Sequence, residues 1–129
     1  MPSRWIWVAL DVAIAAHAEQ LAEHGGGEGV RDAGALESAM ARPVNLALYG
    51  TPQISELAAA YAFGIARNHP FVDGNKRTAA VVSETFLAIN GYQLEASDAE
   101  LVVAFLDLAA GELSEAELAA WFREHLAEI

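Results

Sequence analysis

The sequence predicts an all-α fold of about six helices, and three observations carry that prediction. Apolar residues make up 54% of the 129 positions, alanine prominent among them, and small side chains let helices pack closely. Helix start and stop signals recur along the chain, including two capping boxes, Ser97-Asp-Ala-Glu100 and Ser114-Glu-Ala-Glu117. No two alternating apolar runs are joined by turn residues in the manner of a strand pair. At this length, residues 1–129 are expected to form one compact domain with a sizeable core.

Taken in order, Trp5 to about Glu23 reads as the first helix. Ile6, Leu10, Ile14, Ala18 and Leu21 keep helical spacing, and Gly25-Gly-Gly27 ends it. Arg4 ahead of an apolar stretch, with Ala-His-Ala at 16–18, has the outline of a weak leader. Asp11 interrupts that stretch and the pattern continues amphipathically, so a helix is expected. Asp32 is placed to cap a short second helix, Ala33 to Arg42, stopped before Pro43. Pro43 to Gln53 reads as an apolar connector packed over the body. Thr51-Pro52 reads as the cap and first position of a third helix running to Arg67 or Asn68. One face of that helix holds Leu57, Ala60, Tyr61, Gly64 and Ile65, small enough for a close neighbour.

Pro70 prevents the third helix from continuing and leaves His69 at its end. The fourth helix, Asn75 to Asn90, is apolar on most sides beyond Thr78, so a central, buried helix is expected with its N-terminus exposed. Gly91 suits the residue just past its end, and Tyr92 to Glu95 reads as an extended connector. The two capping boxes open helices five, ending at Gly111, and six, running to about Ala127.

Charge and composition narrow the function. The net charge of −11 argues against a nucleic-acid surface. Three of the seven cations, Arg67, Lys76 and Arg77, fall within eleven residues, and a small positive island on an acidic body suits a small anion. With no cysteine there is neither a disulfide framework nor thiolate chemistry, which fits a cytoplasmic setting. No eighteen-residue apolar run suggests a membrane span.

The chemistry concentrates in His69-Pro-Phe-Val-Asp-Gly-Asn-Lys-Arg-Thr78. Gly74 at a helix start lets a ligand approach bare backbone N–H groups, which with the helix dipole favour an anion. Lys76 and Arg77 are unfavourable at a positive helix end unless an anion joins them. Asp73 suits a helix N-cap. It equally suits a magnesium ion bridging it to a phosphate, and one carboxylate has oxygens for both. Histidine is the one common side chain that can take a proton near neutral pH, and His69 stands a few residues upstream of the cradle. Phe71 reads as a core anchor that turns its neighbours outward. His17, His24 and His125 read as surface histidines on helix faces or ends.

The run from His69 to Ala79 resembles the signature of the Fic/Doc superfamily in its death-on-curing variant. Val30-Arg-Asp-Ala-Gly-Ala-Leu-Glu-Ser-Ala-Met-Ala-Arg-Pro43 is similar to the upstream segment of Doc-type proteins. The resemblance implies a toxin of a toxin–antitoxin module that uses ATP and Mg2+. Fic proteins transfer AMP to a hydroxyl, whereas Doc-type toxins transfer the terminal phosphate to a threonine of elongation factor Tu. By matching position His69 would be the general base, Asp73 the metal ligand, and Gly74, Asn75, Lys76 and Arg77 the phosphate cradle. The AMP-transferring pattern has glycine where Lys76 stands and arginine where Ala80 stands, which favours a Ser/Thr kinase. Gly74, in turn, is closer to the AMP-transferring pattern. An inhibitory Ser/Thr-x-x-x-Glu motif is absent, since no Ser or Thr has glutamate four residues on, so the brake is expected in trans from a cognate antitoxin. Residues 43–53 and helix one are the candidate docking surfaces. The alternatives are an AMP transferase on the same fold and a catalytically silent binding module.

Overall fold

A computed structural model describes residues 4–129; the first three residues of the expected domain lie outside the described ones. Among the described residues six helices follow in order: α1 Leu10–His24, α2 Ala33–Tyr49, α3 Ile54–Asn68, α4 Asn75–Ile89, α5 Asp98–Ala110 and α6 Glu115–His125. Two short strands, β1 Tyr92–Leu94 and β2 Leu126–Glu128, complete the fold. Helix α3 runs through the middle with eleven of its fifteen residues buried, and α2, α4, α5 and α6 pack around it. Helix α4 touches α1, α3 and α5. Its Thr78, Ala79, Val82, Phe86 and Leu87 enter the core, whereas Ala80 and Val81 stay half-exposed. Among the described residues no helix is long and apolar enough to cross a membrane.

The first helix is shorter than its periodicity suggests. Trp5 to Ala9 is not helical, because tertiary bonds claim its backbone. The Asn90 side chain accepts from Ile6 N–H and donates to Ile6 C=O, both at 2.9 Å. Val8 N–H donates to the Tyr61 hydroxyl at 3.0 Å. Trp7 stacks on Phe86 at 5.7 Å and Trp5 tilts against it at 6.4 Å.

The second helix is longer than expected, since Pro43 lies inside it. A proline in a helix leaves the carbonyl four residues earlier without its partner, at a cost of ~3 kcal/mol. Burial outweighs that here: Leu36, Ala39, Met40 and Pro43 form one buried stripe at helical spacing. Opposite Ala39 sits Gly64 of α3, where an added Cβ would lie 2.9 Å from Ala39 Cα. The expected apolar connector thus shrinks to residues 50–53. Its cap is Gln53, not Thr51: Glu56 accepts from Gln53 N–H at 2.9 Å.

Both capping boxes form as the sequence indicates, with Ser97 accepting from Glu100 N–H and Ser114 from Glu117 N–H, each at 3.1 Å. The absence of a strand pair does not hold. Tyr92, Gln93 and Leu94 pair antiparallel with Glu128, Ala127 and Leu126, and α6 gives way to β2 after His125.

Candidate functional site at the start of helix α4

The site is built on the loop between α3 and α4. His69 ends α3 in the left-handed region, at φ 48° and ψ 56°, alone among the described non-glycine residues in having positive φ. Pro70 imposes the break, and Arg31 secures it. The Arg31 guanidinium donates to the carbonyls of His69 (2.7 Å) and Asn68 (2.9 Å), so a cation closes the negative end of α3. Backbone bonds tie the same strands of loop together: Arg31 N–H and Asp32 N–H reach Pro70 C=O, and Val72 N–H reaches Gly29 C=O. The His69 imidazole is left exposed, with no hydrogen bond, ion pair or ring contact among the described residues.

Phe71 is fully buried and anchors the loop, with His69, Val72 and Asp73 exposed around it. Two side chains hold it. Asn75 accepts from Phe71 N–H and donates to Phe71 C=O, both at 3.0 Å. Asn75, a cradle residue by the sequence, is 8% exposed with its amide turned inward to Phe71, so only its backbone N–H remains for an anion. His17, expected at the surface, is buried at 4% exposure. Its ring stacks on Phe71 at 3.9 Å and 8°, because α1 packs against α4 here.

Asp73 does not cap α4. Gly74 occupies the cap position at φ 74° and ψ 18°, and no side chain closes the turn. The Asp73 carboxylate instead accepts from Gly74 N–H at 2.8 Å and from Gly27 N–H at 3.4 Å. These bonds, Gly74 first, hold its carboxyl below the usual carboxylate range, and the charges of Arg77 and Lys76 add to the effect. The glycine turn after α1 comes this close because it lacks side chains: a Cβ on Gly26 would lie 2.8 Å from Asp73 Oδ2, and one on Gly27 2.9 Å from Val72 Cγ1.

The helical ladder of α4 opens with Thr78 N–H donating to Gly74 C=O. The N–H groups of Asn75, Lys76 and Arg77 precede it. Lys76 and Arg77 are exposed, and neither forms an ion pair among the described residues. Arg67 is drawn elsewhere, over the Phe63 ring at 5.5 Å. Free N–H groups, two unpaired cations and an ionised carboxylate therefore share one turn. A single exposed carboxylate is not a cage for a metal. It does fit a magnesium ion, which takes one or two carboxylates and fills its shell with phosphate oxygens and water.

Lys76 and Arg77 also border a cavity of about 530 Å³ between α1, α4 and α5, with Ala80, Val81, Leu101, Val102, Phe105 and Leu106 on its apolar walls. Glu84 lies on the same wall; desolvation, then the charge of Asp98, raises its pKa.

The Fic/DOC family model matches residues 7–87, a span that contains the whole motif, His17 and the glycine turn. The chain belongs to the Fic/DOC family. Within it, this Fic/DOC chain is 35% identical over 107 residues to "Protein kinase doc" of Escherichia phage P1, covering 82% of this chain and 84% of that one. It is 51% identical over 75 residues to "Toxin Doc" of Mycolicibacterium smegmatis, covering 56% of this chain and 57% of that one. The match thus spans little more than half the length of the mycobacterial relative.

Four residues of the Fic/DOC chain's site escape a reading of the motif alone: His17, Gly26, Gly27 and Arg31. The glycine run reads as a helix stop, and a helical histidine reads as surface. The 30–43 segment gives a partial signal for Arg31, through its resemblance to Doc-type proteins.

Proposed function

We propose that this chain is the toxin of a toxin–antitoxin module and a Doc-like kinase that moves the terminal phosphate of ATP to a Ser/Thr hydroxyl. The observation that carries the reading is the uncapped first turn of α4, with Asp73, Lys76 and Arg77 exposed on it a few residues after an exposed His69 that has no partner among the described residues. The family relation and the names of the two relatives support it. The whole chain is read as one Fic/Doc-like domain working in the cytoplasm.

In this mechanism the N–H groups of Gly74, Asn75, Lys76 and Arg77, with the side chains of the last two, hold the phosphates in an orientation set by the turn. Gly74 N–H also donates to Asp73, which limits its share. His69 takes the proton of the incoming hydroxyl as its oxygen bonds to the γ-phosphorus and the bond to ADP breaks. Base catalysis of this kind contributes ~10²–10⁴-fold. Asp73 would hold Mg2+, which when bound neutralises charge on the phosphates. Ala80, small and half-exposed on the cavity wall, leaves out the arginine of the AMP-transferring pattern, which supports kinase over AMP transfer. Gly74 supports the second reading, an AMP transferase using the same base and cradle. A catalytically silent binding module is the third.

The protein target proposed from the resemblance is elongation factor Tu, and the partner is a cognate antitoxin acting in trans. The apolar cavity between α1, α4 and α5 suits a helical antitoxin tail, since a segment laid there would cover Lys76 and Arg77. The deciding experiment incubates the chain with Mg2+, elongation factor Tu and ATP labelled at either the γ- or the α-phosphate. Label from the γ position alone, lost in His69→Ala, is the expected result. Label from the α position would replace the kinase by the AMP transferase, and no label with either would leave the binding module.

A further inference from the structure

We propose that His17, on α1 and outside the motif, is a positioning residue of this site: it fixes the Asp73–Gly74 peptide and so aims the phosphate-binding turn. The inference rests on the function proposed above and adds to it a component on another helix. His17 Nε2 lies 2.8 Å from Asp73 C=O. A carbonyl oxygen only accepts, so Nε2 carries the proton and donates. The N–H on the other side of the same peptide, that of Gly74, donates to Asp73 Oδ1 at 2.8 Å. A peptide is planar, so holding its oxygen and its N–H together fixes the plane. The N–H groups of Asn75, Lys76 and Arg77 follow directly from it.

This restraint is needed because of what stands at position 74. Gly74 adopts φ 74°, and glycine passes between left- and right-handed regions at little cost. Without an external hold, the turn that presents the N–H groups would be free to rotate. His17 is placed to supply that hold. It is buried, its ring is clamped flat against Phe71, and its Cδ2 lies 3.7 Å from where a Cβ on Gly74 would be. Asp73, whose backbone His17 grips, is also the residue proposed to bind the metal.

The competing account is a core histidine that only fills space beside Phe71. Two variants separate the roles. His17→Phe keeps an aromatic ring for the stack and removes the donor. His17→Gln removes the ring and keeps an N–H at similar reach. The experiment measures ATP binding with Mg2+ by calorimetry for the full chain and both variants, with thermal melts to confirm folding, and records the imidazole 15N spectrum of the unsubstituted protein. The expected result is a His17 signal with Nε2 protonated, ATP affinity lowered about 10-fold or more in His17→Phe, as for other groups that orient a metal ligand, and most of it regained in His17→Gln.

A space-filling role predicts the reverse order, with Phe the better replacement. Normal ATP binding by folded His17→Phe, or a spectrum with Nε2 unprotonated, overturns this inference and leaves the kinase reading standing. If the unsubstituted protein bound no ATP, the function proposed above would fall and this inference with it. If His17→Phe does not fold, His17→Gln and the spectrum decide: tight binding by Gln with Nε2 protonated supports the role, and loss of binding by folded Gln overturns it.

Discussion

The glycine turn beside Asp73 gives a matched pair of substitutions. Gly25 and Gly26 both have positive φ, but a Cβ on Gly25 meets nothing within 4 Å, whereas one on Gly26 meets the Asp73 carboxylate. Gly25→Ala should cost stability alone, about 1–3 kcal/mol, because φ 74° with ψ −177° is a conformation that essentially only glycine adopts. Gly26→Ala should in addition displace the carboxylate and raise the Mg2+ concentration for half-maximal transfer by about 10-fold or more; titrating the metal for both variants checks it. At Gly74 itself a Cβ has ordinary room, its nearest neighbour being Leu21 Cδ2 at 3.5 Å. Gly74→Ala is therefore expected to fold, at a loss of about 1–2 kcal/mol of stability, read as a lower melting temperature. The sequence makes the residues of the motif legible because they are contiguous. It hides His17 and Arg31, whose contacts with the loop span 56 and 37–38 residues and have no local pattern.

At the scale of elements, the α2–α3 contact explains both a legible feature and a misread one. The small face of α3 is visible in the sequence, and Gly64 does let α2 approach. Nothing local says that α2 must run through Pro43, because what outweighs the broken ladder is the burial of α2's own apolar stripe against α3. Gly64→Ala should lower the unfolding free energy by about 1–3 kcal/mol of overpacking against Ala39, less the ~1 kcal/mol that alanine gains in a helix, read as a lower urea midpoint with an unchanged denaturant slope. The capping boxes were readable because each lies within four residues. Ser97→Ala and Ser114→Ala should each cost ~1 kcal/mol and add when combined. The β1–β2 pair was not readable: three-residue strands show too little alternation, and their partners lie over thirty residues apart. Likewise, Trp5 to Ala9 has helical spacing, yet the side chains of Asn90 and Tyr61 take its backbone.

At the scale of the whole molecule, three exposed carboxylates contribute to the response to acid. Asp73 is lowered by Gly74 and Gly27 N–H groups, and Glu100 and Glu117 are lowered chiefly by the N–H groups of Ser97 and Ser114. A carboxyl with a depressed folded-state pKa contributes stability above its unfolded value and loses it as pH falls through the folded one. Melting temperature should therefore fall on the acid side, below about pH 4, and less steeply in Asp73→Asn. Glu84 has the opposite sign: its raised pKa imposes a cost that sets in as pH rises through the ordinary glutamate range. Glu84→Gln should accordingly melt higher at neutral pH. The packing of the N-terminal segment has an optical consequence. Trp5 and Trp7 sit on Phe86, ten residues along α4 from Lys76 and hence ~15 Å away, while Trp121 lies in α6 against Phe122. Indole emission from this chain should thus register whether that segment is seated and stay nearly silent when a nucleotide is titrated in, so an added fluorophore at Val72, exposed beside Asp73, is the better reporter of occupancy.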